Sequence, residues 1–591
     1  VECLLHRGHS LLPPHRTNCK CKSCDNEVVS EEFRLDLFRA LASDTFLWLG
    51  TPDPFSAART LASDLQHEMS EALNGEHFQK LLQNVEIFME NLVKNCNKRE
   101  EVSLLLGDSS FSTSAERDST LPRLRQSLDG SFKLFLSNSR VRETASALFW
   151  QGWGDFGSSS LRDGGRIVRH ALLYPFFALL FTLSNGTLAS SFNVPAARFL
   201  SFTWSFVVFF VAALTMKWHQ MTTAHYDRSL AGNALATVLQ LYIFVYILGL
   251  VLDRFVELYR RGWRIYFSLW WRWLDFFFLG FFLLAGHIWL SVLYIRSVEG
   301  EELGKLHRRH WPAYEHMALY DLFLAFGCTL AFWKIFYFAQ LIGGIGPTII
   351  SIARCSAHVV HYQIVMFLTL FSFAFGCFII IIPYKGNEMI GEGGQIVKQS
   401  RYFTSLGESI RNLFWSIFGY LDPSYYSLVL GNAGPSQSKM SSEMVSVGAE
   451  LMVVIFHLVL VISLLNLMIS LFVKKADEVQ DNITVEYEYI RICIYAEFFE
   501  DASSVPPPFN LLFLPIRGIC NLIQRKYRLG WPEILQTKVE DRTLAWSAYK
   551  GVLRTVFTRY RDGSDFRYNS EKDSEKKKNS LMTSPKFAFM E

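Results

Sequence analysis

Charge is scarce in this chain. Only 19 % of its 591 residues are Asp, Glu, Lys or Arg, against about a quarter in an ordinary soluble protein. The signs nearly cancel: 58 basic and 55 acidic residues leave +3, too little to select a polyanion, so nucleic acid is not expected as a partner. No nucleophile–base constellation and no phosphate loop is recognisable, so enzymatic activity is not expected. No secretory leader opens the chain. It begins at Val1 in apparently structured sequence, so a native start upstream is expected. Cysteine is thin as well. None of the ten falls in a segment expected outside the cell, so no extracellular disulfide is expected.

What the chain does have is apolar length. Half of its residues are apolar, 15 % are aromatic and 51 are Phe. Full-length apolar runs occupy 196–217, 235–252, 273–296, 318–341, 360–383 and 446–473, and a shorter one 167–184. A bilayer takes roughly 20 residues of helix, and helix is the natural form because backbone in lipid must bond to itself. The short run reads either as a span or as a hairpin around Pro175 that enters and leaves one leaflet. Arg254, Arg260, Arg261, Arg264 and Arg272 after the second long run, and Lys474 and Lys475 after the sixth, mark cytoplasmic ends. Six spans with both termini in the cytoplasm satisfy both clusters, and the hairpin reading of 167–184 fits with them. Upstream, residues 32–106 repeat apolar positions every three or four residues and predict soluble helices. A loop follows at 107–120, then more amphipathic helix to 150.

The gap 384–445 differs from the other loops. It holds "SIRNLFWSIFGYL" (409–421), apolar but too short to span. A half-helix followed by Gly419 between two long helices has the layout of a re-entrant pore loop, where irregular backbone lines a water-filled path. An exposed loop with an aromatic cluster is the plainer alternative. Six spans with such a loop suggest a tetrameric cation channel. Ile417, Phe418 and Gly419 are then the selectivity filter, acting through backbone carbonyls, and Asp422 could form a ring of four carboxylates that concentrates cations. No TVGYG-like sequence implies potassium selectivity. Phe414 and Trp415 are expected to pack the pore helix against the last two spans. Ile469 and Val473, one turn apart, are the candidate gate, with Lys474 just beyond. The fourth run holds a single cation, Lys334, where a voltage sensor needs several. Near the start, His15, Cys19, Cys21 and Cys24 follow H-x3-C-x-C-x2-C spacing, which suits one structural zinc ion.

Residues, and not layout alone, then become familiar. "NLFWSIFG" (412–419), "LLNLMIS" (464–470), "VEYEYIR" (485–491), "VPPPFN" (505–510), "GGIGPTIIS" (343–351) and "GWRIYFSLWWRWLDF" (262–276) resemble, in family order, motifs of the TRPC-type transient receptor potential cation channels. The resemblance implies a calcium-permeable, non-selective channel opened downstream of receptor and phospholipase C, in the plasma membrane, with calcium and sodium as permeant ions. It implies homo- or hetero-tetramers with related subunits, lipids such as diacylglycerol acting at Phe414 and Trp415, calmodulin as a further partner, and a zinc motif just after ankyrin repeats that would precede Val1. It also implies gating coupling through Gly346 and Pro347 with Tyr487 and Arg491. The family commonly binds calcium where Glu257 and Asp275 stand. Here Arg254 and Arg272 occupy neighbouring ligand positions, so the site is expected to be vestigial, with these two arginines paired internally to the two acids.

The expected class is therefore an all-α membrane protein: six transmembrane helices, a re-entrant pore loop between the fifth and sixth, a membrane hairpin before the first, and cytoplasmic helical linkers. Its expected parts are a zinc-knuckle end of the ankyrin linker (1–31), linker helices (32–166), the hairpin (167–190), a voltage-sensor-like four-helix domain (191–341), a linker (342–359), the pore domain (360–473), a post-pore coupling helix (474–510), and C-terminal helices with a disordered tail (511–591). A non-conducting regulatory subunit is the alternative reading. A transporter is a weaker one, because no internal repeat is seen.

Overall fold

In the computed structural model, most of residues 27–562 are described. Outside the described residues lie 1–26, 72–74, 108–120, 185–193, 224–233, 300–313, 519–532 and 563–591, with shorter gaps within 152–159, 391–394, 421–441 and 500–517. The zinc-knuckle residues His15, Cys19, Cys21 and Cys24 and the C-terminal tail are among them. The described chain is almost entirely helical and divides into two units. One comprises residues 1–342 and 485–591, the other 343–484.

In the first unit the amphipathic pattern becomes a small helical core. Helix α1 (Pro54–Glu71) and α2 (Gly75–Lys94) pack along each other, with α3 (Arg99–Leu106) and α4 (Ser139–Phe149) closing the layer. Phe55, Leu65, Phe78, Val85, Phe88, Met89, Phe135 and Phe149 are buried there. Within the predicted helical stretch, the segment 32–49 falls into two helices, Glu27–Leu41 and Asp44–Leu49. The reason is local: the Ser43 hydroxyl accepts the Phe46 amide at 3.4 Å and starts a new helix.

Helix α5 (Ser160–Leu183) corrects one expectation. It runs through Pro175 without turning, so the hairpin around that residue is not formed. Proline leaves the Ala171 carbonyl without its amide partner, a loss that apolar helices packed among others tolerate. Four further apolar helices follow: α6 (Pro195–Thr223), α7 (Ala234–Arg261), α8 (Trp270–Glu299) and α9 (His316–Trp333). Their shared core is aromatic, with Phe206, Phe209, Tyr246, Phe278, Phe282 and Tyr320 buried together. Phe209 and Tyr246 stack at 4.5 Å. The fourth span is not one rod. It stops at Lys334 and resumes as a short helix, Ile335–Ala339.

The second unit contains α10 (Gly346–Ile381), opened by Pro347 in its first turn, where a missing amide costs nothing. Two short hairpins, Glu388–Ile390 with Ile396–Lys398 and Asn432–Ala433 with Ser438–Lys439, flank the half-length helix α11 (Leu406–Ser416). The final span is α12 (Glu443–Phe456), a nine-residue π-helical stretch (His457–Leu465) and α13 (Asn466–Asp481). Leu370, Ala374, Cys377, Leu413, Phe456 and Leu460 form this unit's buried core. Back in the first unit stand α14 (Ile483–Phe499) and the C-terminal helix α15 (Glu533–Asp562). In all, seven helices of the described residues are long and apolar enough to cross a membrane.

Candidate pore and charged cluster

The second unit carries the candidate filter. Helix α11 ends at Ser416, and the chain then tightens into a short turn. The Ile417, Phe418 and Gly419 amides bond to the carbonyls of Phe414, Trp415 and Ser416 at 3.3, 3.0 and 2.9 Å. Gly419 sits at φ +88°, a left-handed conformation that a side chain would strain. Asp422 follows and is exposed. Phe414 is partly buried against the core shared by α10 and the last span. Trp415 departs from the expected packing. It remains 48 % exposed, with its ring against Phe414, Phe418 and Tyr420 at 5.8–6.2 Å. These partners stand one, three and five residues from Trp415, so the helix end gathers the rings locally, outside the span seam.

Ile469 and Val473 lie four residues apart on α13, hence on one face, and are 50 % and 52 % exposed in the single chain. The π-helical stretch lies just upstream of them. Wider turns of this kind add one residue to the ladder and shift the facing of everything beyond. Nothing in the apolar sequence 457–465 announces it. Gly346 and Pro347 open α10. Tyr487 and Arg491 lie on α14, where Arg491 donates from Nε to the Tyr495 hydroxyl at 2.9 Å and stands 3.7 Å from Glu488. Burial pushes the Tyr487 phenol upward from its ordinary range.

The first unit holds a second feature, at the Arg-rich ends of its spans. Sequence reasoning anticipated Arg254 and Arg272 paired with Glu257 and Asp275. The structure brings these four together with four more charges. Arg254 Nη1 donates to Glu257 Oε2 at 2.7 Å, and its guanidinium lies 3.4 Å from Asp253 and 3.5 Å from Asp275. Arg272 bonds to Glu257, approaches Asp275 at 3.5 Å and reaches Glu497 of α14 at 2.9 Å. Lys334, at the break in the fourth span, bonds to Asp275. Arg261 stands 3.5 Å from Glu257. Glu497 also accepts from Trp271 Nε1 at 3.2 Å and from the Tyr337 hydroxyl at 2.6 Å. Charges at membrane depth are costly unless paired, which explains why Lys334 points into this cluster. Lys334 and Glu497 were missed as members because they lie far from the other charges in sequence, and Asp253, although next to Arg254, belongs to none of the matched motifs. Only the lone cation in an apolar span hinted at a buried acid opposite. Carboxylates of this set would attract a metal ion, but each is already committed to guanidinium or ammonium groups, which cannot ligate one. The donor set does not fit a divalent cation.

Helix α14 is also gripped from the N-terminal helices. Lys133 bonds to Glu486, Arg142 Nη1 to Glu488 at 3.0 Å, and Phe149 stacks on Tyr495 at 4.1 Å. The "VPPPFN" segment is anchored on the spans. Ser205 Oγ donates to the Pro507 carbonyl at 2.6 Å, and Asn510 Nδ2 to the Gly249 carbonyl at 2.7 Å.

Comparison with known proteins agrees with this architecture. The family model described as "Calcium channel YVC1-like, C-terminal" matches residues 202–530, and "Transient receptor ion channel II" matches 19–73. A transient-receptor-potential-like protein of Caenorhabditis elegans is 25 % identical over 87 % of this chain and 51 % of its own length. Human short transient receptor potential channel 4 is 22 % identical over 95 % of this chain and 57 % of its own length. Human short transient receptor potential channel 3 is 23 % identical over 87 % and 58 %. The chain thus spans a little over half the length of these relatives. The solved structure of the thermo-sensitive TRP channel TRP1 from the alga Chlamydomonas reinhardtii superposes with a TM-score of 0.59 at 16 % identity, covering 91 % of this chain and 67 % of that one. With a family model matching more than half of its residues, and with seven apolar helices in the same fold, this multi-pass membrane protein belongs to the transient receptor potential channel family, a family of ion channels and not of enzymes.

Proposed function

We propose that this chain is a subunit of a tetrameric, non-selective, calcium-permeable cation channel of the plasma membrane, with both termini cytoplasmic and opening downstream of receptor-driven phospholipase C. The observation that carries it is the second unit. Two long apolar helices bracket a half-length helix that ends on a left-handed glycine, with an exposed carboxylate three residues on. One copy supplies one such half-helix, so a closed path needs several copies around an axis. Backbone carbonyls at Ile417 to Gly419 and a ring of Asp422 would dehydrate and concentrate cations without selecting potassium. Ile469 and Val473 would close the cytoplasmic mouth by dewetting. Diacylglycerol is the proposed lipid at Phe414 and Trp415, and the half-exposed Trp415 ring is available to it. His15, Cys19, Cys21 and Cys24 are proposed to hold one structural zinc per subunit, checked by elemental analysis of the purified chain.

Whole-cell recording from cells expressing the chain tests the channel reading. The expected result is an inward current carried by sodium and calcium that appears on stimulation of phospholipase C. A silent chain that alters the current of a co-expressed relative would favour a regulatory subunit instead.

A further inference from the structure

Eight charged side chains meet in the cluster of the first unit. Four are acids, Asp253, Glu257, Asp275 and Glu497, and four are bases, Arg254, Arg261, Arg272 and Lys334. The charges sum to zero, and every acid lies within 3.5 Å of at least one base. Arg272 is the member that joins the most elements. Its side chain is 2 % exposed and touches acids of α7, α8 and α14. A calcium or magnesium ion is held where carboxylate oxygens carry excess negative charge. In this cluster that excess is gone.

We infer that Arg254, Arg272 and Lys334 stand in the place of a divalent cation, and that they make the tie between the four-helix domain and α14 permanent and independent of metal. Placing a doubly charged ion here would detach at least two carboxylates from their bases and leave those bases buried and unpaired, which is strongly unfavourable. The tie therefore holds at any cytosolic calcium level, and a calcium signal has no purchase on α14 through this cluster. The inference goes beyond the channel reading and does not depend on it.

The test uses the purified full chain, stripped with EDTA and titrated with calcium chloride, with thermal unfolding as the readout. The wild type is expected to show no calcium-dependent shift from the cluster. A shift that survives Asp275→Asn arises elsewhere in the chain and agrees with the inference. A wild-type shift abolished by Asp275→Asn, yet retained in Asp422→Asn, would overturn it. The converse arm removes the stand-ins. Arg254→Gln with Arg272→Gln leaves a net charge of −2, and calcium is expected to raise the melting temperature of this variant by several degrees through preferential binding to the folded state. No response in a folded double variant overturns the substitution argument. If the double variant fails to fold, Arg254→Gln alone is read in the same way.

Discussion

Arg272 shows how a buried charge is made tolerable: a guanidinium with its side chain 2 % exposed persists because acids from three helices surround it. The same rule in reverse governs Asp422, which is exposed beside the filter turn. Four copies near one axis would repel one another, and a cation relieves that repulsion. Asp422→Asn is expected to lower calcium permeability relative to sodium without changing surface expression, as read from reversal potentials in varied external calcium. Unaltered reversal potentials would assign Asp422 to an ordinary turn. Another acid, Glu86 on α2, has its carboxyl pushed up to about 7, chiefly by burial, although the Leu134 amide and Lys133 pull the other way. A folded pKa above the unfolded value means that the fold holds the extra proton between pH 4.5 and 7. Stability then falls as pH rises through that window. Glu86→Gln is expected to raise the melting temperature above that window and to leave it unchanged below it, as measured by thermal scans on either side.

Elements in this protein meet at close approaches that single residues permit. At Gly249 in α7, an added Cβ would lie 2.6 Å from Asn510 Oδ1 and 3.2 Å from Pro507. Only glycine lets the "VPPPFN" segment lie against this helix, and Asn510 secures it through the Gly249 carbonyl. Gly249→Ala is expected to destabilise the protein by about 1–3 kcal/mol through overpacking, seen as a lower melting temperature. Asn510→Ser in the same chain should recover part of the loss, because the shorter side chain vacates the contact. Element positions were largely legible in the sequence: the six long apolar runs are helical over nearly their whole length, and most of the helices run beyond the runs because polar termini continue the same hydrogen-bond ladder. Breaks inside elements were not legible. The stop at Lys334 falls where its side chain bonds to Asp275, the continuity of α5 through Pro175 defeats a local proline rule, and the π-helical stretch in the last span has no composition of its own.

Across the first unit, the described N-terminal helices and the C-terminal helix α15 are stitched together. The Tyr560 hydroxyl donates to Asp44 and that of Tyr549 to Asp53, each at 2.6 Å. Arg559 forks onto Glu101 at 2.8 and 3.2 Å and holds its carboxyl below the ordinary range. Trp48 packs on Phe557 at 5.0 Å, and Arg123 lies over Tyr549 at 4.4 Å. Helix α15 therefore covers aromatic surface of the N-terminal helices. Truncation before Glu533 is expected to expose Trp48, lower the melting temperature and open the N-terminal helices to limited proteolysis. An unchanged digestion pattern would mean that α15 is dispensable to them.

Sequence by itself determined the membrane class, the six long apolar runs that become helices, the half-helix with its glycine and the order of the family motifs. These are properties of local apolar length and short-range pattern, and they survive without knowledge of neighbours. It also placed Glu257, Asp275, Arg254 and Arg272 in one region, because they fall within two adjoining helix ends. Tertiary structure alone decided that Lys334 and Glu497 complete that group, that Trp415 stays half-exposed, and that α15 returns to the first helices. The first and last of these pair residues separated by tens to hundreds of positions, where periodicity carries no information. What decides them is the cost of an unpaired charge or an uncovered ring in the finished fold.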